Sequence, residues 1–222
     1  MYRTNFQGDY NIGLHGFASD AYCLLGMKVK SEHAIGEKLH VKPVVSSLLY
    51  TSLVSLFATG NSHGIVVPKI AEEYELHALR KLFNHVLVLD TRYTALGNLL
   101  LMNDRGVLVS PLLRRNRKEL ADFFGIPAAV TTIAGLSIIG SAAVTTNRGC
   151  LAHPKLKPDE KNAIKETLAV DVDIGTVSFG SPYVRSGIIA NSHGVIVSNR
   201  CSGPELGRIN DVLGEFASTP PG

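Results

Sequence analysis

The sequence predicts an α/β fold in which five repeats of about 44 residues close into a ring. Three observations lead to this prediction: a turn motif that recurs at a nearly fixed spacing, helix positions that recur in phase with it, and a terminal strand that completes the last repeat. The turn motif ends in Gly64, Gly106, Gly149 and Gly194, which are 42, 43 and 45 residues apart. Self-similarity at such a period is typical of repeat architectures.

The turn motif reads "NSHG" at 61–64 and again at 191–194, "NDRG" at 103–106 and "TNRG" at 146–149. Asparagine at the first position and glycine at the fourth favour a type I turn with the glycine in the left-handed region. A step of 43 residues back from Gly64 reaches Ala21 in "ASDAYCLL", a first copy that lacks the glycine.

The two histidines of the motif, His63 and His193, invite a metal-binding or catalytic interpretation. The equivalent residues in the other copies are Arg105 and Arg148. Arginine does not replace histidine as a metal ligand, so the pattern favours a structural turn over a metal or catalytic site.

Apolar runs flank the turns and follow the helices, and each predicts a strand. The runs before the turns include "LGNLLLM" (96–102), "IGSAAVT" (139–145) and "GIIA" (187–190), and those after the helices are "VLVL" (86–89), "PAAVT" (127–131) and "VDVDIG" (170–175). Each repeat therefore reads strand, tight turn, strand, helix, strand.

One helix per repeat is predicted from apolar positions 15 and 19 residues beyond the turn glycine. Such i, i+4 pairs lie on one helix face. The pairs are Leu79 and Phe83, Ile164 and Leu168, and Ile209 and Leu213; Leu39 and Phe124 match after a one-residue shift. The last helix opens with "SGPE", where Ser202 and Glu205 have the spacing of a capping box.

The last repeat has no clear strand after its helix, and the N-terminal "YRTNF" at 2–6 can fill that place. Closing the ring in this way removes exposed sheet edges. We expect one domain of five repeats, approximately 1-45, 46-90, 91-132, 133-175 and 176-222.

The composition is that of an ordinary globular protein, with 45% hydrophobic and 18% charged residues and a net charge of +3. The N-terminus has no apolar core typical of a secretory signal, and the apolar stretch 128–144 is too short and too interrupted to span a membrane. Three cysteines without paired spacing predict reduced thiols. We therefore expect a cytoplasmic protein.

The segments 94–111, 138–154 and 61–68, with "GPEL" at 203–206, resemble the translation initiation factor 6 family in its archaeal form. The resemblance implies the pentein fold, a five-fold pseudosymmetric α/β propeller around a central channel. It also implies a monomer without cofactor or metal that binds the large ribosomal subunit, through a ribosomal protein and rRNA near the sarcin–ricin loop, and blocks joining of the small subunit. The extra polar tail of eukaryotic members is not seen, which favours an archaeal protein.

The resemblance places the ribosome-facing end of the ring opposite the "NDRG" turn, where Asn98 is expected to start a strand. The equivalent end of the other repeats adds Ser55, Leu56, Ser141, Ala142 and Arg185, the last of which stands where the family usually has glycine. The alternative for Asn98 is that it only caps a bend after Gly97, and the sequence leaves both interpretations open.

A basic run, Arg114, Arg115, Arg117 and Lys118, opens the third helix. It can contact rRNA phosphates, or it can be a solvated helix start. Cations at a helix N-terminus oppose its dipole at a small cost in stability, which favours a compensating contact such as rRNA. Charge runs are usually solvated faces, however, so the second interpretation is favoured.

The alternative function is a pentein-fold guanidine-modifying hydrolase or amidinotransferase, which would use a cysteine nucleophile. Cys23 and Cys150 fall in apolar strands, and Cys201 precedes the last helix. Buried cysteines usually behave as small hydrophobic residues, so we expect that the protein is not an enzyme.

Overall fold

The computed structural model describes residues 1–214, in which fifteen short strands form five three-stranded sheets. The tail 217–222, for which the sequence predicts a frayed end, lies outside the described residues. The strands are β1 (Tyr2–Thr4), β2 (Gly16–Ala18), β3 (Cys23–Leu25), β4 (Pro43–Val45), β5 (Thr59–Asn61), β6 (Gly64–Pro68), β7 (Val86–Leu89), β8 (Leu100–Met102), β9 (Val107–Val109), β10 (Ala128–Val130), β11 (Ala143–Thr145), β12 (Gly149–Ala152), β13 (Asp171–Ile174), β14 (Ile188–Ala190) and β15 (Val195–Ser198).

Every sheet has the same pairing, which is the one that the repeat pattern predicts. The middle strand pairs antiparallel with the strand before its turn and parallel with a third strand. In the third sheet Leu108 of β9 pairs with Leu101 of β8 and with Ala129 of β10. In the first four repeats the parallel pairing needs a crossover, and the long helix of the repeat supplies it.

The N-terminal strand closes the ring as predicted. Strand β1 pairs parallel with β15, with Tyr2 opposite Ile196 and Thr4 opposite Ser198. Phe6 is buried beside it and packs in a core cluster with Ile196. The N-terminal strand and the two strands of the last repeat are thus held in one sheet, and the five-fold α/β propeller is complete.

Eight α-helices lie in residues 1–214, rather than the five that the sequence predicts. Five of them have eight or more residues, one for each repeat, and three are single turns of four residues. The helices are α1 (Glu32–Leu39), α2 (Val54–Phe57), α3 (Glu73–Leu82), α4 (Leu96–Leu99), α5 (Arg117–Phe124), α6 (Ile139–Ala142), α7 (Pro158–Leu168) and α8 (Gly203–Leu213); short 3₁₀ helices span Ile12–Leu14, Pro111–Asn116 and Val184–Gly187.

The extra helical turns divide the apolar runs that were predicted to be strands throughout. Asn98 lies in α4, and the strand begins only at Leu100. The reason is crowding near the ring axis: a Cβ on Gly97 would lie 1.9 Å from the carbonyl oxygen of Ser55 in the neighbouring repeat. A helical turn with glycine at this point lets adjacent repeats approach so closely.

The long helices bury the predicted apolar positions against the sheets. Leu79, Ile164 and Ile209 have at most 1% of their surface exposed. Each lies in a core cluster with residues of the strands beneath it. The core of the molecule is therefore divided among the repeats, between each long helix and its sheet.

The turn glycines have a different role from the predicted one. None of Gly64, Gly106, Gly149 and Gly194 has a φ angle in the left-handed region. A Cβ on Gly106 would instead lie 1.9 Å from the carbonyl oxygen of Thr167, and one on Gly194 would lie 2.1 Å from that of Lys38. At Gly106, Gly149 and Gly194 glycine is required because the turn touches the last residues of the next helix around the ring. A Cβ on Gly64 would instead meet the carbonyl oxygen of His85 in its own repeat.

Candidate functional site

The ring has two chemically different ends, which we call the rim and the turn end. The rim carries the beginnings of the long helices, the short helical turns before each first strand, and the hairpins that precede those turns. The turn end carries the four-residue turns and the ends of the long helices. The antiparallel pairing of each first and second strand fixes this division, because the four-residue turn joins them at one end only.

Asn98 lies at the rim, half-buried, in the short helix α4. Its side-chain Oδ1 accepts a hydrogen bond from Ser141 Oγ of the next repeat at 2.7 Å. Its backbone N–H donates to the carbonyl of Ala95 within the same turn. The side chain therefore links two repeats at the rim, and it does more than cap a bend after Gly97.

The other predicted rim residues divide into two groups. Leu56 and Ser141 occupy the position equivalent to Asn98 and are partly exposed. Ser55 and Ala142 have 1% and 0% of their surface exposed, so neither side chain reaches the surface. Arg185 is partly exposed as a residue, but its guanidinium turns into the ring, where Nη2 is enclosed.

Exposed aromatic and apolar side chains gather at the rim. Of the ten large hydrophobic side chains that are exposed in residues 1–214, only Met1 and Leu82 belong to the turn end. Tyr50 and Phe179 are the most exposed, at 77% and 73%. The rim group consists of Tyr10, Tyr50, Ile70, Tyr74, Leu112, Ile174, Phe179 and Tyr183. An apolar group of this size on one end is a candidate interaction surface.

Tyr50 and Phe179 are presented by tight hairpins with unusual backbone geometry. Leu49 and Tyr50 have φ angles of 54° and 59°, and Ser178 and Phe179 have 53° and 65°. Bulky residues rarely adopt the left-handed region, and each such residue costs on the order of 1–3 kcal/mol. For the Tyr50 hairpin the sequence offers no signal of this geometry, because 49–50 contains neither the glycine nor the asparagine that marks such a turn.

Buried capping glutamates hold these hairpins in place. Glu205 reaches back to Ser202 as the predicted capping box, with Ser202 N–H donating to Oε2 at 2.7 Å. The same carboxylate accepts from the backbone N–H of Phe179 and Gly180, at 3.1 and 2.8 Å. Glu160 binds the hairpin at Ala134 and Gly135 in the same way. Each glutamate therefore ties the start of a long helix to an exposed hairpin.

The electrostatics of these carboxylates agree with a structural role. Burial acts to raise the pKa of Glu160, but hydrogen bonds from Thr132 and from the backbone of Lys157, Gly135 and Ala134 together hold it below its ordinary value. The pKa of Glu205 is lowered against the same effect of burial. Both groups are therefore charged in the folded protein at neutral pH.

The basic run is split between two elements. Arg114 and Arg115 lie in the last turn of the 3₁₀ helix, and only Arg117 and Lys118 open α5. The expected helix-dipole penalty therefore does not apply to the first two, since cations are favoured at a helix C-terminus. Arg117 Nη1 donates to the carbonyl of Ala128, whereas the side chains of Arg114, Arg115 and Lys118 are exposed and make no hydrogen bond or ion pair with residues 1–214.

The cysteines lie where a thiolate is disfavoured. Burial raises the pKa of Cys23 and of Cys150 to about 12. Burial also raises the pKa of Cys201, whose Sγ accepts a hydrogen bond from Ser178 N–H at 3.5 Å. His193 lies before β15 and Cys201 after it, so the strand separates the two. This geometry gives no support to a cysteine–histidine pair.

The turn end is a network of hydrogen bonds between repeats. Asn103 Nδ2 donates to the carbonyls of Thr146 and Leu168 in the next repeat, at 3.1 and 2.9 Å. Asn191 makes the same contacts with Ser19 and Leu39. The motif asparagine thus joins neighbouring repeats, a role that a search for turn signals alone does not reveal.

The third position of the turn contacts the end of the next long helix. Arg105 Nη1 donates to the carbonyl of Ala169 at 2.8 Å, and the ring of His193 stacks on His40 with centroids 5.4 Å apart. His40 and Ala169 are the C-caps of α1 and α7. His193 and Arg105 therefore have the same structural role, contact with the end of the next long helix. The exchange of histidine for arginine at this position of the turn predicts such a role.

Two further findings concern residues 1–214 only. No helix there is both long and apolar enough to cross a membrane. No group of three histidine, cysteine, aspartate or glutamate side chains in that range is arranged to hold a metal ion.

Comparison with known proteins identifies close relatives over nearly the whole chain. A family model described as the eIF-6 family matches residues 1–212. Translation initiation factor 6 of Pyrococcus abyssi is 36% identical over 96% of this chain and 97% of its own length. The factors of the same name from Haloquadratum walsbyi and Methanocaldococcus jannaschii are 36% and 34% identical; the first alignment covers 98% of each chain, and the second covers 96% of this chain and 97% of its relative.

Proposed function

The chain belongs to the eIF-6 family and is similar to translation initiation factors throughout its length, and from this premise we propose that it binds the large ribosomal subunit and prevents the small subunit from joining. The single observation that carries the proposal is the concentration of exposed aromatic and apolar side chains at the rim. Aromatic residues and arginine are enriched at protein interfaces and supply much of the binding energy there.

The partner that fits the rim has both a protein and an RNA component. Tyr50 and Tyr74 lie with ring centroids 6.2 Å apart and offer a hydrophobic contact for a ribosomal protein. Arg92 stacks over Tyr93 and Arg200 over Tyr10, each with its guanidinium carbon 4.9 Å from the ring centroid. Such flat cationic surfaces suit both protein and RNA. We place the contact near the sarcin–ricin loop, as expected for the family.

The basic side chains Arg114, Arg115 and Lys118 would add contacts to rRNA phosphates. They are exposed, they lack partners within residues 1–214, and they follow the rim residue Leu112 in the chain. Asn98, Leu56 and Ser141 lie in short helices of neighbouring repeats that contact one another at the rim, and they would meet the partner at the centre of the contact. Ser55 and Ala142 would act by shaping the short helical turns, because their side chains are buried.

The bound protein would block subunit joining sterically, without catalysing a reaction. Because β1 of the N-terminal segment pairs with β15, the first and last repeats are tied together, so a bound molecule would remain a rigid obstacle on the joining face of the large subunit. We propose that the protein acts in the cytoplasm as a monomer and is not an enzyme. The raised pKa values of all three cysteines support the last point.

Co-sedimentation with isolated ribosomal subunits in sucrose gradients tests the proposal. The protein is expected to migrate with large subunits and not with small ones, and its addition to a mixture should reduce the joined-ribosome peak. Migration at the top of the gradient, or with small subunits, would overturn the proposal. Formation of citrulline, urea or ammonia from arginine, agmatine or dimethylarginine would favour the enzymatic alternative.

A further inference from the structure

Arg185 is the largest of five equivalent residues that surround the ring axis at the rim. Each is the second residue of a short helical turn, and the other four are Gly13, Ser55, Gly97 and Gly140. The glycines press on a neighbouring backbone: a Cβ on Gly13 would lie 1.8 Å from the carbonyl oxygen of Arg185 itself. Because its equivalents have little or no side chain, the arginine can extend into the space on the axis.

The arginine side chain crosses that space to another repeat. Its Nε donates a hydrogen bond to Ser55 Oγ at 2.9 Å, which joins the fifth repeat to the second across the first. These are the two members of the set of five that carry a side chain. This hydrogen bond fixes the orientation of the guanidinium. It uses only Nε–H, so the N–H donors on Nη1 and Nη2 are not used by Ser55.

The charge of this guanidinium has no counterpart within the described chain. Nη2 is enclosed and makes no hydrogen bond with residues 1–214, and no carboxylate there forms an ion pair with Arg185. Burial lowers the pKa of Arg185 only to about 10, so the group stays charged at neutral pH. A buried charge without a partner is strongly unfavourable, and an enclosed donor without an acceptor adds to that cost.

A cavity of about 40 Å³ adjoins the guanidinium. It is lined by Arg185 and by the first strands of all five repeats, including Gly16, Thr59, Leu101 and Thr145. A water molecule needs about 10–15 Å³ of such space, so the cavity has room for about three positions of water size. A monatomic anion fits one of them, whereas a tetrahedral oxyanion with its shell of oxygens would fill the cavity.

We propose that this axial cavity binds a halide-sized monovalent anion, held by Arg185 Nη2. The anion would supply the missing charge and the missing acceptor together. The adjoining cavity toward the turn end, of about 20 Å³, is lined by Asp20 and Asp104, whose carboxylates disfavour an anion there. The site is therefore confined to the rim side of the axis. The proposal does not rest on ribosome binding and stands or falls separately from it.

Diffraction from crystals of the purified chain grown in sodium bromide tests the proposal directly. We expect an anomalous bromide peak within hydrogen-bond distance of Arg185 Nη2. Thermal unfolding in sodium gluconate at constant ionic strength, with gluconate replaced stepwise by chloride or bromide, should show a rise in Tm, since a ligand bound only to the folded state stabilises it by mass action.

Two variants make the thermal test specific. Arg185→Gln should lose the halide-dependent rise in Tm, whereas Arg148→Gln, which removes an exposed arginine at the turn end, should keep it. A wild-type crystal with water alone beside Nη2 would overturn the proposal. So would a halide effect that is absent from the wild type or retained in Arg185→Gln. If Arg185→Gln does not fold, the presence or absence of the bromide peak in wild-type crystals still decides whether the proposal holds.

Discussion

The two ends of the ring are built from the same five repeats, yet their side chains do different things. At the turn end the motif asparagines are buried and their amides bind carbonyls of the next repeat, as Asn103 does with Thr146 and Leu168. At the rim the hairpins expose Tyr50 and Phe179 on strained backbone. At the turn end the motif side chains form hydrogen bonds between repeats, and at the rim large apolar side chains are exposed to solvent.

This difference indicates that stability and recognition are separated along the ring axis. Buried, satisfied polar networks fix a structure, whereas exposed apolar patches and strained turns mark sites of interaction. Substitutions of the buried turn-end asparagines should therefore change stability without changing affinity for the large subunit, and substitutions of side chains that reach the surface at the rim should do the reverse. The following predictions test that separation, in decreasing order of the expected effect.

Deletion of residues 1–6 should affect both ends, because it opens the ring. It removes β1 from its partner β15 and removes the buried Phe6. Loss of a buried phenylalanine alone costs about 3–5 kcal/mol, so we expect a fall in Tm of at least about 6 °C by calorimetry. An unchanged Tm would show that ring closure does not stabilise the fold.

Asn103→Ala should destabilise the protein by about 3 kcal/mol. It leaves the buried carbonyls of Thr146 and Leu168 without their donor, and each unsatisfied group costs about 1–3 kcal/mol. Urea unfolding measures the loss, with the exposed turn-end variant His63→Ala as a control that should remain within about 0.5 kcal/mol. Weaker binding to large subunits by Asn103→Ala, at a temperature where it is folded, would contradict the separation of the two ends.

Asn98→Arg and Tyr50→Ala should each weaken binding to large subunits by about 2 kcal/mol, or roughly 30-fold, while their Tm stays close to that of the wild type. The first places a large cation at the centre of the rim, and the second removes its most exposed aromatic ring. Quantitative co-sedimentation measures the effect, and His63→Ala serves again as the control. Normal affinity in a folded variant would show that the substituted residue does not contribute to the interface.

The double substitution Arg114→Gln, Arg115→Gln should flatten the salt dependence of binding. Each phosphate contact contributes about 0.7–0.9 to the slope of log K against log salt concentration, so loss of two contacts should reduce the slope by about 1.4–1.8. Binding measured between low and moderate salt gives the slope. The control Arg148→Gln at the turn end should leave the slope unchanged. An unchanged slope in the double variant would show that the basic run is a solvated face and does not contact phosphates.

Glu160→Gln should reduce the loss of stability in acid. The folded-state pKa of Glu160 lies below its ordinary value of 4.5. The stabilisation is therefore complete above the unfolded-state pKa and is lost as pH falls through the lower folded-state pKa. Urea unfolding between pH 6 and pH 3 should give a shallower pH dependence for this variant. Glu166→Gln, on the exposed face of the same helix, should match the wild type.

The sequence by itself determined the repeat architecture. The spacing of the turn glycines, the phase of Leu79, Ile164 and Ile209, and the missing last strand were sufficient to predict five sheets, five long helices and closure by the N-terminal strand. These features follow from periodicity, which is local and is written directly in the order of residues. The capping box of Ser202 and Glu205 is local in the same sense.

Only the tertiary structure decided what the crowded and the exposed positions do. The turn glycines are required by a helix end more than 40 residues away, in the case of Gly106 and Thr167, and the runs before the strands become helical turns because adjacent repeats touch there. Arg185 turns inward because four equivalent residues around the axis are small. The aromatic rim arises where separate hairpins and helix starts meet. Each of these outcomes depends on contacts between repeats, which no single stretch of sequence contains.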